Sequence, residues 1–180
     1  MTENNLEKAT FAGGCFWCTE AIFQRVKGVE KLVSGFTGGN IKNPAYREVV
    51  TGRTGHAEAI EILFDPKKIS YEELLYIFMT THDPTTLNRQ QNDVGTQYRS
   101  SIFYYSEEQK QIAEKVIKLL EDEQVFSDPI VTEIKEAGPF YEAEPEHHDY
   151  YNQNRNQPYC QVIIDPKVRK LQTAFADKLK

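Results

Sequence analysis

The chain has 180 residues, a formal net charge of -6, 39% apolar residues and 3 cysteines. That length suits one domain with a proper core, and the acidic balance argues against a nucleic-acid partner, which needs clustered Lys and Arg to meet phosphate. No apolar run spans a bilayer and the polar start Met1-Thr2-Glu3-Asn4-Asn5 is unlike a secretory leader, so a cytoplasmic location is expected, where thiols stay reduced unless they are catalytic.

Taken in chain order, Lys8 to Phe11 reads as a short strand, Gly13-Gly14 as a tight turn, and Thr19 to Lys27 as apolar at helical spacing. Glu30 to Phe36 is a second strand, closed by the turn Thr37-Gly38-Gly39-Asn40, and Ile41 to Thr54 follows as a loop. A third strand, Gly55 to Phe64, stops at Asp65-Pro66. Ser70 with Glu73 forms a capping box, and Tyr71, Leu74, Leu75 and Phe78 make the buried stripe of a helix ending before Asp83-Pro84. Thr85 to Gln97 is polar and without period, which marks a long functional loop.

Gln97 to Tyr105 reads as a fourth strand. Ser106 and Gln109 then cap a helix that turns Ile112, Val116 and Leu119 inward and runs to around Asp122. Ile130 to Ile134 is a further short strand, Ala137 to Gln157 lacks a period and is expected to wrap the surface, and Gln161 to Ile164 reads as a last strand. Val168, Leu171 and Phe175 give a closing helix. The first four strands and two helices run β-α-β-β-α-β, the order of a ferredoxin-like split βαβ two-layer sandwich, an α+β fold. The expectation is one catalytic domain over 1–180, with a core of about residues 8–106 and C-terminal additions from 107 to 180 decorating it.

Chemistry concentrates at Gly13-Gly14-Cys15-Phe16-Trp17-Cys18, where two cysteines flank the sole tryptophan at a strand-to-helix corner. The free N–H groups and positive dipole end of a helix stabilise an anion, so a thiol at Cys15 is expected to lose its proton readily. The two glycines leave room for close approach of a ligand. Cys15 and Cys18 lie about one turn apart on the same side of the helix, a spacing that permits a redox disulfide. A lone buried cysteine is more often plain core, but Cys-x-x-Cys at a Gly-Gly corner favours the redox reading.

Period two in the third strand puts Glu58 on one face with His56, Ile60, Ile62 and Phe64. A carboxyl among large apolar residues has a raised pKa and keeps a proton near neutrality, as a general acid must. An equally good reading leaves Glu58 at a strand edge, reaching water. His56 reads as a structural hydrogen-bonder rather than a catalyst. Asn43-Pro44-Ala45-Tyr46-Arg47 and Asn92-Asp93-Val94-Gly95-Thr96-Gln97-Tyr98-Arg99 lie in loops or at strand ends, where sites are commonly built.

Together with Gly35-Phe36-Thr37-Gly38-Gly39, Gly52-Arg53-Thr54-Gly55-His56-Ala57-Glu58 and His82-Asp83-Pro84, these motifs resemble the A-type peptide methionine sulfoxide reductases, from about Phe11 to about Ile164. The resemblance implies an α/β two-layer sandwich. It makes Cys15 the nucleophile that attacks the sulfoxide sulfur, Phe16 and Trp17 the pocket for the substrate's methyl group, and Glu58 the acid that protonates the sulfoxide oxygen. By the same resemblance Tyr46 and Tyr98 hydrogen-bond that oxygen, and Asp93 is a carboxylate orienting substrate or the loop that carries Tyr98. The implied reaction turns the S-epimer of methionine sulfoxide, free or in proteins, into methionine and leaves a Cys15 sulfenic acid that a second thiol condenses to a disulfide. Thioredoxin or another dithiol would then reduce it, with no further cofactor; a monomer is expected.

The chain departs from the family pattern in three places. Cys18 stands where Gly is frequent, Phe36 where Tyr is common, and Gln91 where Gly usually precedes Asn92-Asp93. The resolving thiol has two candidates. Cys160 matches the region where many members carry theirs, and Cys18 needs no large movement; a relay through both is a third route. A thioredoxin-like disulfide oxidoreductase is the rival reading, since it too uses Cys-x-x-Cys. Zinc is not expected, because one Cys-x-x-Cys with adjacent His147 and His148 gives poor ligand spacing.

Overall fold

The computed structural model describes residues 5–180; the polar start Met1 to Asn4 lies outside them. Among the described residues the chain runs β1 (Glu7–Ala12), α1 (Phe16–Phe23), β2 (Val29–Thr37), α2 (Tyr46–Val49), β3 (Ala57–Phe64), α3 (Tyr71–Thr81), β4 (Arg89–Gln90), β5 (Asp93–Val94), β6 (Ser101–Tyr104), α4 (Glu107–Asp122), β7 (Glu133–Glu136), β8 (Phe140–Glu142), α5 (Tyr150–Gln153) and α6 (Asp165–Ala174). Six strands form one sheet in the order β7-β6-β1-β3-β2-β8, and β4 with β5 makes a separate hairpin. Only the β6–β7 pair is parallel, so the sheet is mixed.

The core follows from strand alternation. The β3 face carrying Glu58, Ile60, Ile62 and Phe64 is buried with Phe11 of β1 against α1 and α3. Phe11 stacks on Phe78 with ring centroids 4.8 Å apart, fastening the sheet to α3. The opposite face is lined by small residues, Ala12, Ala57 and Ala59, and closes with Phe103 under Ala137 and Phe140. Ser70 caps α3 as its sequence predicts: its hydroxyl accepts from Glu73 N–H at 3.0 Å and the Glu73 carboxylate accepts from Ser70 N–H at 3.1 Å. At α4 the Ser106 hydroxyl accepts from Gln109 N–H, but the Gln109 side chain reaches one residue further back, to Tyr105 N–H, and ties the helix to β1 through Lys8 O.

Several expectations are corrected. The strand expected over Gln97 to Tyr105 begins only at Ser101, because β1 ends at Ala12, its last partner, and offers no neighbour further on. Residues 96–98 instead form a 3-10 turn, with Tyr98 N–H on Gly95 O at 3.0 Å. The strand expected over Ile130 to Ile134 lies at Glu133–Glu136 for the same reason, since pairing starts at Ser101↔Glu133. The apolar Ile130 packs on the core rather than marking a paired strand. The loop read over Ile41 to Thr54 contains the single turn α2, and the chain after Ser106 does more than decorate, since β7 and β8 extend the sheet at both edges.

The largest correction concerns Gln161 to Ile164, which is not a strand. Cys160–Ile164 forms a π-helical turn running directly into α6. Pro166 lacks an N–H and its ring crowds the carbonyl one turn back, and a widened turn before it relieves that conflict. The β-branched run instead buries Cys160 and Ile164 in the core with Val168 and Leu171 of α6, a spacing that helical backbone provides.

Candidate active site

Cys15 occupies the N-cap of α1 with extended backbone (φ -67, ψ 131), and its carbonyl accepts from Cys18 N–H at 3.0 Å. The corner that presents it is held from behind. Gly14 takes φ +84, and a Cβ there would sit 2.6 Å from Gln90 Cγ. Gln90 in turn is clamped to Asp83, accepting from Asp83 N–H at 3.0 Å and donating to Asp83 O at 2.9 Å. Gly14 N–H donates to Tyr98 O at 3.2 Å, joining the Cys15 corner to the 96–98 turn. The glycine therefore makes room for a protein side chain where the sequence suggests space for ligand. Gly14→Ala is expected to lower stability by about 2 kcal/mol, combining left-handed strain with the clash, and urea unfolding measures it.

Glu58 is 1% exposed and central, because β3 lies between β1 and β2 in the sheet. That removes the edge reading. Its Oε1 accepts from Phe16 N–H at 3.2 Å, in the first turn of α1, and the Cys15 thiol lies beside the same carboxyl. Burial pushes its pKa up to about 8, so near neutrality the group carries a proton. Its second oxygen, Oε2, is buried with no partner in the protein. An orphaned carboxyl oxygen this deep keeps its hydrogen-bonding capacity unused within the protein.

Cys15 itself behaves against the helix-end expectation. Burial first, and Glu58 second, push its thiol well above the ordinary value, while the Trp17 N–H pulls the other way and loses. Desolvation outweighs the helix terminus because the sulfur is only 5% exposed. The resting pair is thus a thiol beside a carboxylic acid.

Around this pair the structure brings together the other predicted residues. The phenols of Tyr46, at the start of α2, and Tyr98, in the 3-10 turn, are both raised by burial and by the nearby Glu58, Cys15 and Asp93, so both remain proton donors. Phe16 is fully buried against Phe36, with centroids 5.5 Å apart; the apolar Phe36 fills that position without needing a partner for a hydroxyl. Trp17 stands half-buried, stacked on Tyr150 at 3.7 Å, and its Nε1–H donates to His147 Nδ1 at 3.2 Å. Asp93 lies on β5, and its Oδ2 accepts from Tyr159 O–H at 2.6 Å. Gln91, where glycine is usual, takes φ +53, the left-handed region glycine enters freely. His56 is structural, as read: Nδ1 accepts from Gly39 N–H at 3.0 Å, which leaves Nε2–H to donate to Ile41 O at 2.6 Å.

Tyr150, His147, Tyr159 and Glu144 are wall residues that sequence reasoning missed. They lie in or next to the aperiodic stretch 137–157, whose clustering of His, Tyr and Glu without helical or strand period was the available signal. Glu144, Glu146 and His147 place one ligand atom each within 4.8 Å of one another and have the donor types for a cation. Two of the three are already engaged, Glu144 by Tyr46 N–H at 3.0 Å and His147 by Trp17. The three free cysteines do not join them.

The family model for peptide methionine sulfoxide reductase matches residues 7–179. The chain belongs to the peptide methionine sulfoxide reductase family. The reductase of Sulfolobus acidocaldarius is 57% identical over 173 residues, covering 96% of this chain and 97% of that one. Among solved structures, methionine sulfoxide reductase A of Corynebacterium diphtheriae superposes with a TM-score of 0.79 at 37% identity, over 84% of this chain and 76% of that one. Mxr1 from Saccharomyces cerevisiae in reduced form gives 0.79 at 30% identity, over 87% and 90%. This reductase is therefore an oxidoreductase that acts on methionine sulfoxide, on a mixed α/β fold, and no helix among its described residues is long and apolar enough to cross a membrane.

Proposed function

We propose that the chain reduces the S-epimer of methionine sulfoxide through Cys15 and Glu58 acting as one unit. The orphaned Glu58 Oε2 beside the Cys15 thiol carries this reading. With substrate bound, the Cys15 sulfur attacks the sulfoxide sulfur while Glu58 gives its proton to the sulfoxide oxygen and takes the thiol proton on its other oxygen. The S–O bond to methionine then breaks as oxygen passes to Cys15. Thiol plus sulfoxide becomes sulfenic acid plus thioether, with atoms and electrons balanced and Glu58 again protonated.

Tyr46 and Tyr98 hold the oxygen by hydrogen bonds that tighten as negative charge gathers on it. Phe16 and Trp17 take the methyl group, and Asp93 steadies the loop of Tyr98. Three fixed contacts around one stereocentre distinguish the epimers. Supplying separated S- and R-sulfoxides tests the reading: the S-form is expected to be consumed and the R-form left, and equal consumption would sink it.

We assign the resolving role to Cys18. Cys15 has extended N-cap backbone, so only one of the two residues is helical, and Cys18 bears on both Cys15 and Cys160. Condensation of the Cys15 sulfenic acid with the Cys18 thiol forms a disulfide and water, and Cys160 stands behind Cys18 as the next thiol in line. A dithiol such as thioredoxin returns the enzyme to its starting state. We read the whole chain as one catalytic domain working as a monomer in the cytoplasm, since all the groups named come from a single chain and its cysteines are unpaired. The order β6-β1-β3-β2 with α1 and α3 supports a ferredoxin-like core for it.

A further inference from the structure

Cys18 carries a partner that the reduction step does not use. Its sulfur lies 3.6 Å from the Tyr159 hydroxyl, and that hydroxyl donates to Asp93 Oδ2 at 2.6 Å. A phenol has one proton. Since Tyr159 gives it to Asp93, its oxygen is left to accept, and the Cys18 S–H is the donor of the longer bond. The order is therefore thiol to phenol to carboxylate, in one direction.

We propose that Tyr159 and Asp93 form the base that deprotonates Cys18 when it closes the disulfide on Cys15. This rests on the assignment of Cys18 as the resolving thiol. As the Cys18 sulfur attacks the Cys15 sulfur, the thiol proton passes to the Tyr159 oxygen and the phenolic proton passes to Asp93. The new S–S bond forms, the S–OH bond breaks, and the departing hydroxide takes the Glu58 proton and leaves as water. The proton on Asp93 is then available to restore Glu58, so the site ends with the charge it had before.

Four further observations fit. Cys18 is 3% exposed, and burial holds its thiol in the protonated form, so a base is needed to make the nucleophile. Burial also raises the Tyr159 phenol, which accordingly cannot ionise by itself and works only by passing a proton through. Lys167, itself 8% exposed, lines a small cavity with Cys18, and its positive charge favours the thiolate. Tyr159 also stands edge-on to Trp17 with centroids 5.8 Å apart, which fixes its ring whether or not the hydroxyl is present.

Tyr159→Phe, with one equivalent of methionine S-sulfoxide, tests the proposal by comparing the rate of disulfide closure with the rate of methionine release in the same sample. The ratio is expected to fall at least about tenfold, with the Cys15 sulfenic acid persisting long enough to be trapped by dimedone. Asp93→Asn, which still accepts the phenolic hydrogen bond but holds no proton, should lower the same ratio, and the double variant should close no more slowly than the worse single one. An unchanged ratio in Tyr159→Phe, while Cys18→Ser abolishes closure, would overturn the relay and leave Cys18 as the resolving thiol. Closure at the native rate in Cys18→Ser, through Cys160, would overturn that assignment and the relay with it.

Discussion

Glu58→Gln should slow methionine release on the order of 10²-fold to 10³-fold, the range for loss of a positioned general acid. The substitution preserves shape and the hydrogen bond from Phe16 N–H, so the loss reports the proton and not the packing. Single-turnover methionine release is the measurement. In the native enzyme the rate should hold below a pH of about 8 and fall above it, as the buried carboxyl ionises. The variant should lack that fall. A native rate in Glu58→Gln would place the acid elsewhere, with the tyrosines next in line.

The same carboxyl sets a stability signature of unusual sign. Its pKa rises from 4.5 in the ordinary state to about 8 in the fold, so between those values the unfolded chain has lost a proton that the native protein keeps. Stability must then fall as pH rises through that window and level off above it, opposite to a salt-bridged carboxylate. The loss is roughly 5 kcal/mol at most. Glu58→Gln removes it, and urea unfolding across the window should give a flatter curve for the variant and greater stability than the native enzyme at the alkaline end. Glu20, buried and raised too, adds a slope of the same sign to both proteins, so the difference between them isolates Glu58.

Cys15→Ser should abolish turnover, because a hydroxyl at this position is too weakly acidic and nucleophilic to attack the sulfoxide sulfur. Residual methionine formation, or a disulfide between the remaining thiols after substrate, would remove Cys15 from the central role. The resting thiol is testable in the native enzyme. Burial and Glu58 raise it, so alkylation by iodoacetamide should be slow near neutrality and accelerate only above the ordinary thiol range. In Glu58→Gln the like charge that forms at alkaline pH is gone, and the alkylation profile should move to lower pH.

Local signals were enough for a large part of this architecture. The alternation of Glu58, Ile60, Ile62 and Phe64, the Ser70–Glu73 capping box and the Gly14–Cys15 corner each encode an element within a few residues, and those elements are present, although the helix expected over Thr19 to Lys27 starts earlier and stops at Phe23. The elements that were misread depend on partners distant in sequence. Ser101 starts β6 because β1 ends at Ala12, and the β-branched run after Cys160 is helical because Ile164 packs into the core with Val168 and Leu171 of α6 and Pro166 widens the turn. No window of neighbouring residues contains that information.

Local sequence therefore pointed to a thiol at a helix start and a carboxyl on an apolar strand face as the groups proposed for the chemistry, and the family resemblance added the phenols of Tyr46 and Tyr98. Tertiary packing decided their protonation. Whether Cys15 is ionised or protonated, and whether Glu58 is acid or carboxylate, depends on how much water and charge surrounds them, and the surrounding atoms come from α1, β3, β5 and the C-terminal helical segment. The same packing set the partners of Trp17 and Cys18, since Tyr150 and Tyr159 reach them across more than a hundred residues of chain, a distance over which sequence carries no local trace of contact.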